Sequence, residues 1–274
     1  MGGDDRDERV GRDGRSVDEK LAPHDFVADF VWAAREVLRK PSVAIVSIAL
    51  WTIPAVLGVS AREQQSPLTT MITLAAGIFA LGWLGAERTF FRLRREGKEV
   101  ALRELVDSVL GFIGRFFKLG VLVGVAVFPA IAVGMLVGTR YAKEGNVELG
   151  AVVIYVSTIA VMLVLDVALT FVTPALTFTT PSAREALRIG LRMIRQTWPR
   201  SGLYILCPPL ALYLLNAMYR NQRPQVTMVT TAAFAILSLV AKGATAVFYL
   251  RERPIAAPDA APPASAAPPR AGVE

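Results

Sequence analysis

Two charged residues lie inside long apolar stretches of the chain. Asp166 stands in VMLVLDVALTF and Lys242 in LSLVAKGATAVF, each a similar number of residues beyond the start of its stretch. Charges inside membrane-spanning segments are costly, so they usually pair within a helix bundle or mark a pathway. We therefore hypothesise an ion pair between Asp166 and Lys242. The alternative is that Lys242 extends back to the cytoplasmic surface while Asp166 lines a wet vestibule.

A second set of charges follows helical spacing. Four arginines recur about once per turn along SAREALRIGLRMIRQTW: Arg184, Arg188, Arg192 and Arg195. Guanidinium groups on one helix face can bind phosphate headgroups of lipids bidentately. The alternative is a cytoplasmic flank that only sets the topology. Ser182 and Glu185 have the spacing of a capping box and predict the start of this helix.

Residues for other chemistry are scarce. The chain has one cysteine and one histidine, which cannot make a zinc site of the usual spacing. It contains no phosphate-cradling loop, nucleophile–base set or carboxylate pair. We therefore expect no enzyme, no cofactor and no metal site. The formal charge of +7 lies beside apolar stretches, which favours lipid headgroups over nucleic acid.

Composition predicts the elements that position these residues. The chain is 53% hydrophobic and 19% charged, with a mean hydropathy of +0.45. Its apolar runs have the length needed to cross a hydrocarbon core about 30 Å thick. They predict six spans, near residues 42–59, 68–90, 119–138, 149–172, 202–218 and 226–250.

A surface helix is predicted before each odd-numbered span, at 25–40, 100–118 and from Ser182 onwards. In the first of these, Phe26, Phe30, Ala33 and Val37 form an apolar face, and Asp29 and Glu36 belong to the polar remainder. Such helices suit the cytoplasmic membrane interface, and the alternative is an ordinary helix packed on protein. The sequence thus predicts three repeats, 24–90, 98–174 and 182–252.

Prolines occur near the middle of each odd-numbered span: Pro54, Pro129 and the pair Pro208 and Pro209. Proline removes a backbone hydrogen bond and kinks a helix. In lipid the freed carbonyl needs a partner from the bundle, so we expect these kinks to face protein.

Four glycines share one face of the third span: Gly120, Gly124, Gly134 and Gly138. Small residues on one face let helix backbones approach closely, which drives helix association in membranes. We predict that this span is a central packing helix.

The charge distribution sets the orientation. Most of the 30 Lys and Arg residues fall in the segments that are cytoplasmic if the N-terminus is inside. We therefore expect an inner-membrane protein with both termini cytoplasmic and no cleavable signal peptide. Residues 1–23 are expected to form a disordered tail of mixed charge, and residues 253–274 a disordered Pro/Ala-rich tail.

The stretch TPALTFTTPSAREALRIGLRMIRQTWPRSGLYIL resembles the repeat of bacterial membrane proteins related to the membrane domain of glycerophosphoryl diester phosphodiesterases. The resemblance covers roughly residues 24–252. It implies a six-helix membrane domain with amphipathic interfacial helices. It does not imply phosphodiesterase activity, which belongs to a separate barrel domain rich in His and Glu that these residues lack.

Together these features predict an all-α membrane protein with six transmembrane helices in three pseudo-repeated hairpins, each preceded by a cytoplasmic amphipathic interfacial helix. The favoured function is a lipid-associated scaffold or a partner subunit of a membrane complex. Its expected partners are membrane lipids, including anionic headgroups, and further copies of the chain or other membrane proteins. The alternative is a transporter or channel for a small solute or lipid, with a pathway near Asp166 and Lys242. A membrane enzyme ranks third.

Overall fold

A computed structural model describes residues 26–60, 67–219 and 224–256. Every regular element within these ranges is an α-helix, which confirms the predicted all-α class. In chain order the helices are α1 (Phe26–Arg39), α2 (Pro41–Ser60), α3 (Pro67–Arg95), α4 (Leu102–Lys143), α5 (Val147–Leu169), α6 (Val172–Phe178), α7 (Ala183–Thr197), α8 (Gly202–Tyr219) and α9 (Pro224–Ala256).

Four helical segments are long and apolar enough to cross a membrane: Pro67–Arg95, Leu102–Lys143, Val147–Phe178 and Val229–Glu252. They identify a membrane protein. The other two predicted spans coincide with α2 and α8. Helix α2 has 20 residues and α8 has 18, and the apolar stretches described within them are Pro41–Ile53 and Gly202–Ala211.

Helix α9 lies at the centre of the bundle and contacts α1, α2, α3, α7 and α8. In its most apolar 18-residue stretch 67% of the residues are buried, whereas none is buried in the corresponding stretch of Val147–Phe178. Aromatic rings fill the space around the end of α9: Tyr204 and Phe171 lie 4.5 and 5.4 Å from Phe248 between ring centroids. The core is therefore built around α9, and α5 is peripheral to it.

The second predicted surface helix is not a separate element. Residues 102–118 of it and the third predicted span, 119–138, belong to one helix, α4, of 42 residues. The prediction of two separate helices was wrong because no proline or turn sequence interrupts the chain around Lys118 and Leu119. At 1.5 Å per residue α4 is about 63 Å long, roughly twice the thickness of a hydrocarbon core.

The fourth predicted span, 149–172, ends earlier than expected. Helix α5 stops at Leu169, and a short helix, α6, begins at Val172. Pro174 lies in the first turn of α6 and has no backbone N–H for the carbonyl of Thr170, four residues earlier. The chain therefore breaks its helical hydrogen bonding at Thr170 and Phe171.

The predicted packing face of α4 is half occupied within the described chain. A Cβ atom on Gly134 would collide with Ser157 of α5, and one on Gly138 would collide with Ile154 and lie 2.7 Å from the Gly150 carbonyl oxygen. Gly120 and Gly124 have no heavy atom within 4 Å of the same position. Only the second GxxxG pair brings α4 and α5 together, because α5 begins beyond the end of α4 and runs back along its last turns.

Backbone helix continues through Pro54 in α2, Pro129 in α4, and Pro208 and Pro209 in α8. The kinks predicted at these residues stay predictions. The predicted tail 1–23 lies outside the described residues, as do residues 257–274 of the second predicted tail, whose first residues belong to α9.

The contact between α6 and α7 depends on a glycine. A Cβ atom on Gly190 would lie 2.6–2.9 Å from the side chain and backbone of Val172. We expect Gly190→Ala to destabilise the protein by about 1–3 kcal/mol, the usual cost of overpacking a close contact. The midpoint of thermal unfolding in detergent micelles measures the effect.

The matched control is Gly114→Ala. Gly114 is also helical, but a methyl group added to it would have no described heavy atom within 4 Å. Alanine there gains helix propensity and keeps or raises the midpoint. Equal midpoints for the two variants would show that α6 and α7 are not in close contact.

Candidate functional site

A buried ion pair joins two of the long helices. Glu87 of α3 accepts a hydrogen bond through Oε2 from Nζ of Lys242 of α9, at 2.7 Å. Its other oxygen accepts one from the Ser47 hydroxyl of α2, also at 2.7 Å. Trp83 Nε1 donates to that hydroxyl at 2.9 Å. Glu87 is 1% exposed, so three helices meet at one hydrogen-bonded carboxylate.

Arg88, the next residue, is also buried, with 6% exposure. Its Nη1 donates to the Leu84 carbonyl oxygen at 2.9 Å, and its Nη2 donates to Thr173 Oγ1 at 2.5 Å. Its Nε–H is buried without a hydrogen-bond partner among the described residues. Glu87 and Arg88 fall near the end of the second predicted span, 68–90. Both lie inside the bundle, because α3 continues for two more turns to Arg95.

Asp29 of α1 is a second buried carboxylate. Its Oδ2 accepts a hydrogen bond from the Tyr204 hydroxyl of α8 at 2.6 Å. Arg251 Nη2 of α9 donates to both carboxylate oxygens, at 2.5 and 2.7 Å. This contact fastens α1 to the end of α9.

Glu36, two turns after Asp29, is 4% exposed. It accepts hydrogen bonds from Arg94 Nε of α3 at 2.6 Å and from Arg39 Nη1 at 2.7 Å. Asp29 and Glu36, two of the polar residues beside the predicted apolar face of α1, are therefore both buried. Both acids point into the bundle because α3 and α9 supply arginines there, and the structure favours the alternative of a helix packed on protein.

A cavity of about 140 Å³ lies beside the Glu87–Lys242 pair. Its walls come from α3, α5, α8 and α9 and from the break after α5. They are formed by Arg88, Asp166, Thr170, Tyr204, Pro208, Pro209, Ser238, Ala241, Lys242 and Thr245. The structure thus brings Asp166, Lys242 and the proline pair of α8 to one cavity. Their direct pairing stays a prediction, and Lys242 has a carboxylate partner in Glu87.

The four predicted headgroup-binding arginines lie on the outer face of α7. Arg184, Arg188, Arg192 and Arg195 line this face, away from the core. The opposite face buries Ala186, Ile189, Gly190 and Met193, at helical spacing. Arg184 and Lys118 also line a wide cavity of about 650 Å³ between α4 and the start of α7. The stripe is therefore accessible as a continuous basic surface.

The start of α7 differs from the predicted capping box. Ser182 is the N-cap residue, but its side chain makes no capping hydrogen bond. Thr180 takes that place: its hydroxyl donates to Glu185 Oε2 at 2.5 Å and accepts from the Ser182 backbone N–H at 3.2 Å. The predicted capping box was wrong because Glu185 binds the hydroxyl of Thr180, which lies two residues before Ser182.

The buried charges of α3 and α1 were missed by sequence reasoning, although α3 carries a signal. Glu87 and Arg88 are followed by Phe90 and Phe91 in GAERTFFRLRR. A pair of aromatic residues between those charges and the terminal arginines indicates that the buried face continues past the charges. Nothing in the sequence of α1 alone marks Asp29 as buried.

The chain matches no protein family model, no curated protein and no solved structure. Its site is therefore interpreted from its own geometry.

The Glu87–Lys242 pair yields a test of what holds α3 to α9. We expect Lys242→Met to destabilise the protein by about 3–5 kcal/mol, because it leaves a buried carboxylate without its cation. Adding Glu87→Gln should recover much of the lost stability, since the double variant has neither of the two buried charges. Thermal midpoints of the single and double variants complete a double-mutant cycle.

The matched control is Lys98→Met, which removes an exposed pair of similar length, 2.8 Å from Nζ to Glu96 Oε2. Exposed pairs contribute about 0–1 kcal/mol. Recovery by Asp166→Asn instead of Glu87→Gln would assign Lys242 to Asp166, as first hypothesised.

Proposed function

We propose that this is a multi-pass protein of the inner membrane that acts without catalytic machinery, as a lipid-associated scaffold or a partner subunit of a membrane complex. Its proposed layout has six spans in three hairpins, 24–90, 98–174 and 182–252, with both termini cytoplasmic. The observation that best supports this proposal is a contrast between two parts of the molecule. The core around α9 is held by buried ion pairs, whereas the apolar hairpin α4–α5 is uncovered.

The paired core supports a fixed structure. Three buried acids of α1 and α3 each bind a basic side chain: Glu87 binds Lys242, Asp29 binds Arg251, and Glu36 binds Arg94. Buried charges that satisfy one another hold helices in one register and are costly to separate. Such a core favours a function that depends on a fixed shape. It does not favour a function that requires large conformational changes.

The α4–α5 hairpin supports contact with lipid or with another membrane protein. Large apolar side chains along both helices are exposed, among them Val125, Phe128 and Leu136 of α4 and Val156 and Val164 of α5. An apolar surface of this extent is covered by lipid or by a partner helix in the membrane. The open glycines Gly120 and Gly124 on α4 suit the close approach of a partner helix.

The resemblance to the membrane domain of glycerophosphoryl diester phosphodiesterases supports the same interpretation. It implies six membrane helices with interfacial helices, and it does not imply phosphodiesterase activity. In the proposed layout α2 and α8 supply the remaining two spans, and both contact α9.

Association through α4 is testable with paired substitutions. We expect Gly120→Leu with Gly124→Leu to weaken self-association or partner retention at least about tenfold, because two large side chains keep a partner backbone away. Crosslinking in native membranes, followed by mass spectrometry, measures which proteins remain attached.

Gly77→Leu on α3 is the control. Gly77 is also helical, and a Cβ atom on it would have no described heavy atom within 4 Å. Unlike Gly120 and Gly124, it belongs to no GxxxG pair. Unchanged crosslinking in the Gly120→Leu, Gly124→Leu variant would show that these two glycines do not form a partner-binding surface.

Headgroup binding by α7 is testable by charge removal. We expect Arg184→Gln with Arg188→Gln to reduce retention of anionic over neutral phospholipid by the purified protein, since each guanidinium near a membrane surface contributes about 1 kcal/mol of attraction. Native mass spectrometry of the full chain counts the bound lipids.

Arg103→Gln with Arg140→Gln gives a matched loss of two exposed charges on α4; the two side chains are 91% and 83% exposed. A stripe that only sets topology predicts equal lipid retention in the two double variants.

A second candidate is a transporter or channel for a small solute or lipid. It is favoured by the cavity that contains Asp166 and Lys242 beside the break between α5 and α6. Interrupted helices and charges within the membrane are typical of transport pathways.

A further inference from the structure

The groove between α4 and the start of α7 brings together two basic side chains from different helices. Lys118 of α4 and Arg184 of α7 line the same open cavity, whose volume is about 650 Å³. No acidic residue belongs to its described lining, and Glu185, the acid next to Arg184 in the chain, binds the Thr180 hydroxyl. Within the described ranges neither Lys118 nor Arg184 forms an ion pair or a side-chain hydrogen bond. The groove therefore presents two positive charges to a ligand.

The rest of the α4 wall is apolar. Val121, Leu122 and Val125 follow Lys118 along one face of the helix, and Val125 lies about 10 Å from Lys118 at 1.5 Å per residue. In the proposed layout Lys118 lies at the cytoplasmic end of the third span, so this wall extends into the inner leaflet. Acyl chains are the apolar material that covers an exposed wall at that depth. A lipid whose chain lies on this wall has its headgroup beside Lys118 and Arg184.

Packing on both sides fixes the walls of the groove. Phe116 and Leu119, which flank Lys118 in α4, are buried, and so are Ala186 and Ile189 of α7. The two helices also contact each other. The volume of the groove lies within the roughly 300–1,000 Å³ that is usual for ligand clefts. The groove is therefore large enough for a headgroup and the first part of an acyl chain.

We propose that this groove binds one anionic glycerophospholipid, with its phosphate between Lys118 and Arg184 and an acyl chain along Val121 and Val125. The guanidinium can donate to two phosphate oxygens, and the ammonium adds a second positive charge. A zwitterionic lipid would bring a further cation beside two that have no acidic neighbour in the described lining, so a headgroup of net negative charge is favoured. Basic pockets at the cytoplasmic ends of membrane helices bind such headgroups.

The groove site rests on the proposed membrane embedding and lipid association, and it differs from headgroup binding by the arginine stripe of α7. The stripe meets exchanging headgroups along one surface, whereas the groove holds one lipid between two helices. Lys118 belongs to the groove and not to the stripe. Substitutions can therefore separate the two.

The test uses the full chain in detergent micelles. Phosphatidylglycerol and phosphatidylcholine with identical acyl chains, and glycerol phosphate without any, are titrated separately, and native mass spectrometry counts what is bound. We expect the first phosphatidylglycerol to bind at least about tenfold more tightly than phosphatidylcholine, because two cations near a headgroup both attract it. Glycerol phosphate should bind at least about tenfold more weakly than phosphatidylglycerol, since it has no chain to lie on the apolar wall.

Charge variants locate the headgroup. Lys118→Gln with Arg184→Gln should weaken binding of the first phosphatidylglycerol at least about tenfold. The matched control, Arg188→Gln with Arg195→Gln, also removes two exposed charges, but these lie outside the described lining of the groove. It should reduce only the lipids that bind after the first.

A change of shape locates the acyl chain without changing any charge. Val125→Trp places an indole ring on the apolar wall and should weaken the first phosphatidylglycerol about tenfold, the equivalent of displacing about two methylene groups. The matched control is Val133→Trp, because Val133 is also an exposed residue of α4 and lies outside the described lining. Both positions are exposed, so the thermal midpoints should stay unchanged and show that the variants fold.

Three results would each overturn the groove site: equal binding of the two lipids, glycerol phosphate binding as tightly as phosphatidylglycerol, or equal losses in the two charge variants. Equal losses would leave headgroup binding by the whole stripe in place. The scaffold role is judged separately, by crosslinking of the α4 glycine variants. Loss of the first lipid in the groove variants alone supports the groove site whatever that crosslinking shows.

Discussion

The buried ion pair between Glu87 and Lys242 is the constraint on which the rest of the bundle depends. A carboxylate in an apolar interior is tolerated only when a cation and further donors reach it, and Lys242 and Ser47 do so from two other helices. The pair therefore fixes the register of α2, α3 and α9 together. Arg251 follows nine residues later on α9, about 13 Å along the helix, and holds α1 through Asp29. The central helix α9 thus positions its neighbours through two basic side chains, Lys242 and Arg251.

Much of the fold could be predicted from hydrophobicity alone. The helices α1, α2, α3, α7, α8 and α9 lie close to the segments that the sequence predicted, because apolar runs and basic flanks mark their ends. The partners of the buried charges could not be predicted in this way. Lys242 has a carboxylate partner on α3, and Asp29, from the polar side of α1, binds an arginine of α9. Helical spacing says which side chains share a face, but it does not say which neighbouring helix covers that face.

Burial is unevenly distributed over the candidate spans. The central stretch of α9 is mostly buried, while the apolar stretches of α4 and α5 are almost entirely uncovered by the described chain itself. In water such surfaces would be costly, but in a bilayer lipid tails cover them at no comparable cost. The stability of the α4–α5 hairpin therefore comes from close helix contact at Gly134, Gly138 and Gly150. The α9 bundle depends instead on ion pairs and aromatic packing.

The unbroken length of α4 has a mechanical consequence. Its first half packs on α3, where Phe112 closes over Gly85, and its last turns pack on α5. Between these contacts the helix has one missing backbone hydrogen bond, at Pro129. Because α4 is so long, a change of about 10° in its direction at Phe112 would displace Lys143 by about 8 Å at 1.5 Å per residue. The position of the loop between α4 and α5 is therefore sensitive to the angle at which α4 packs on α3.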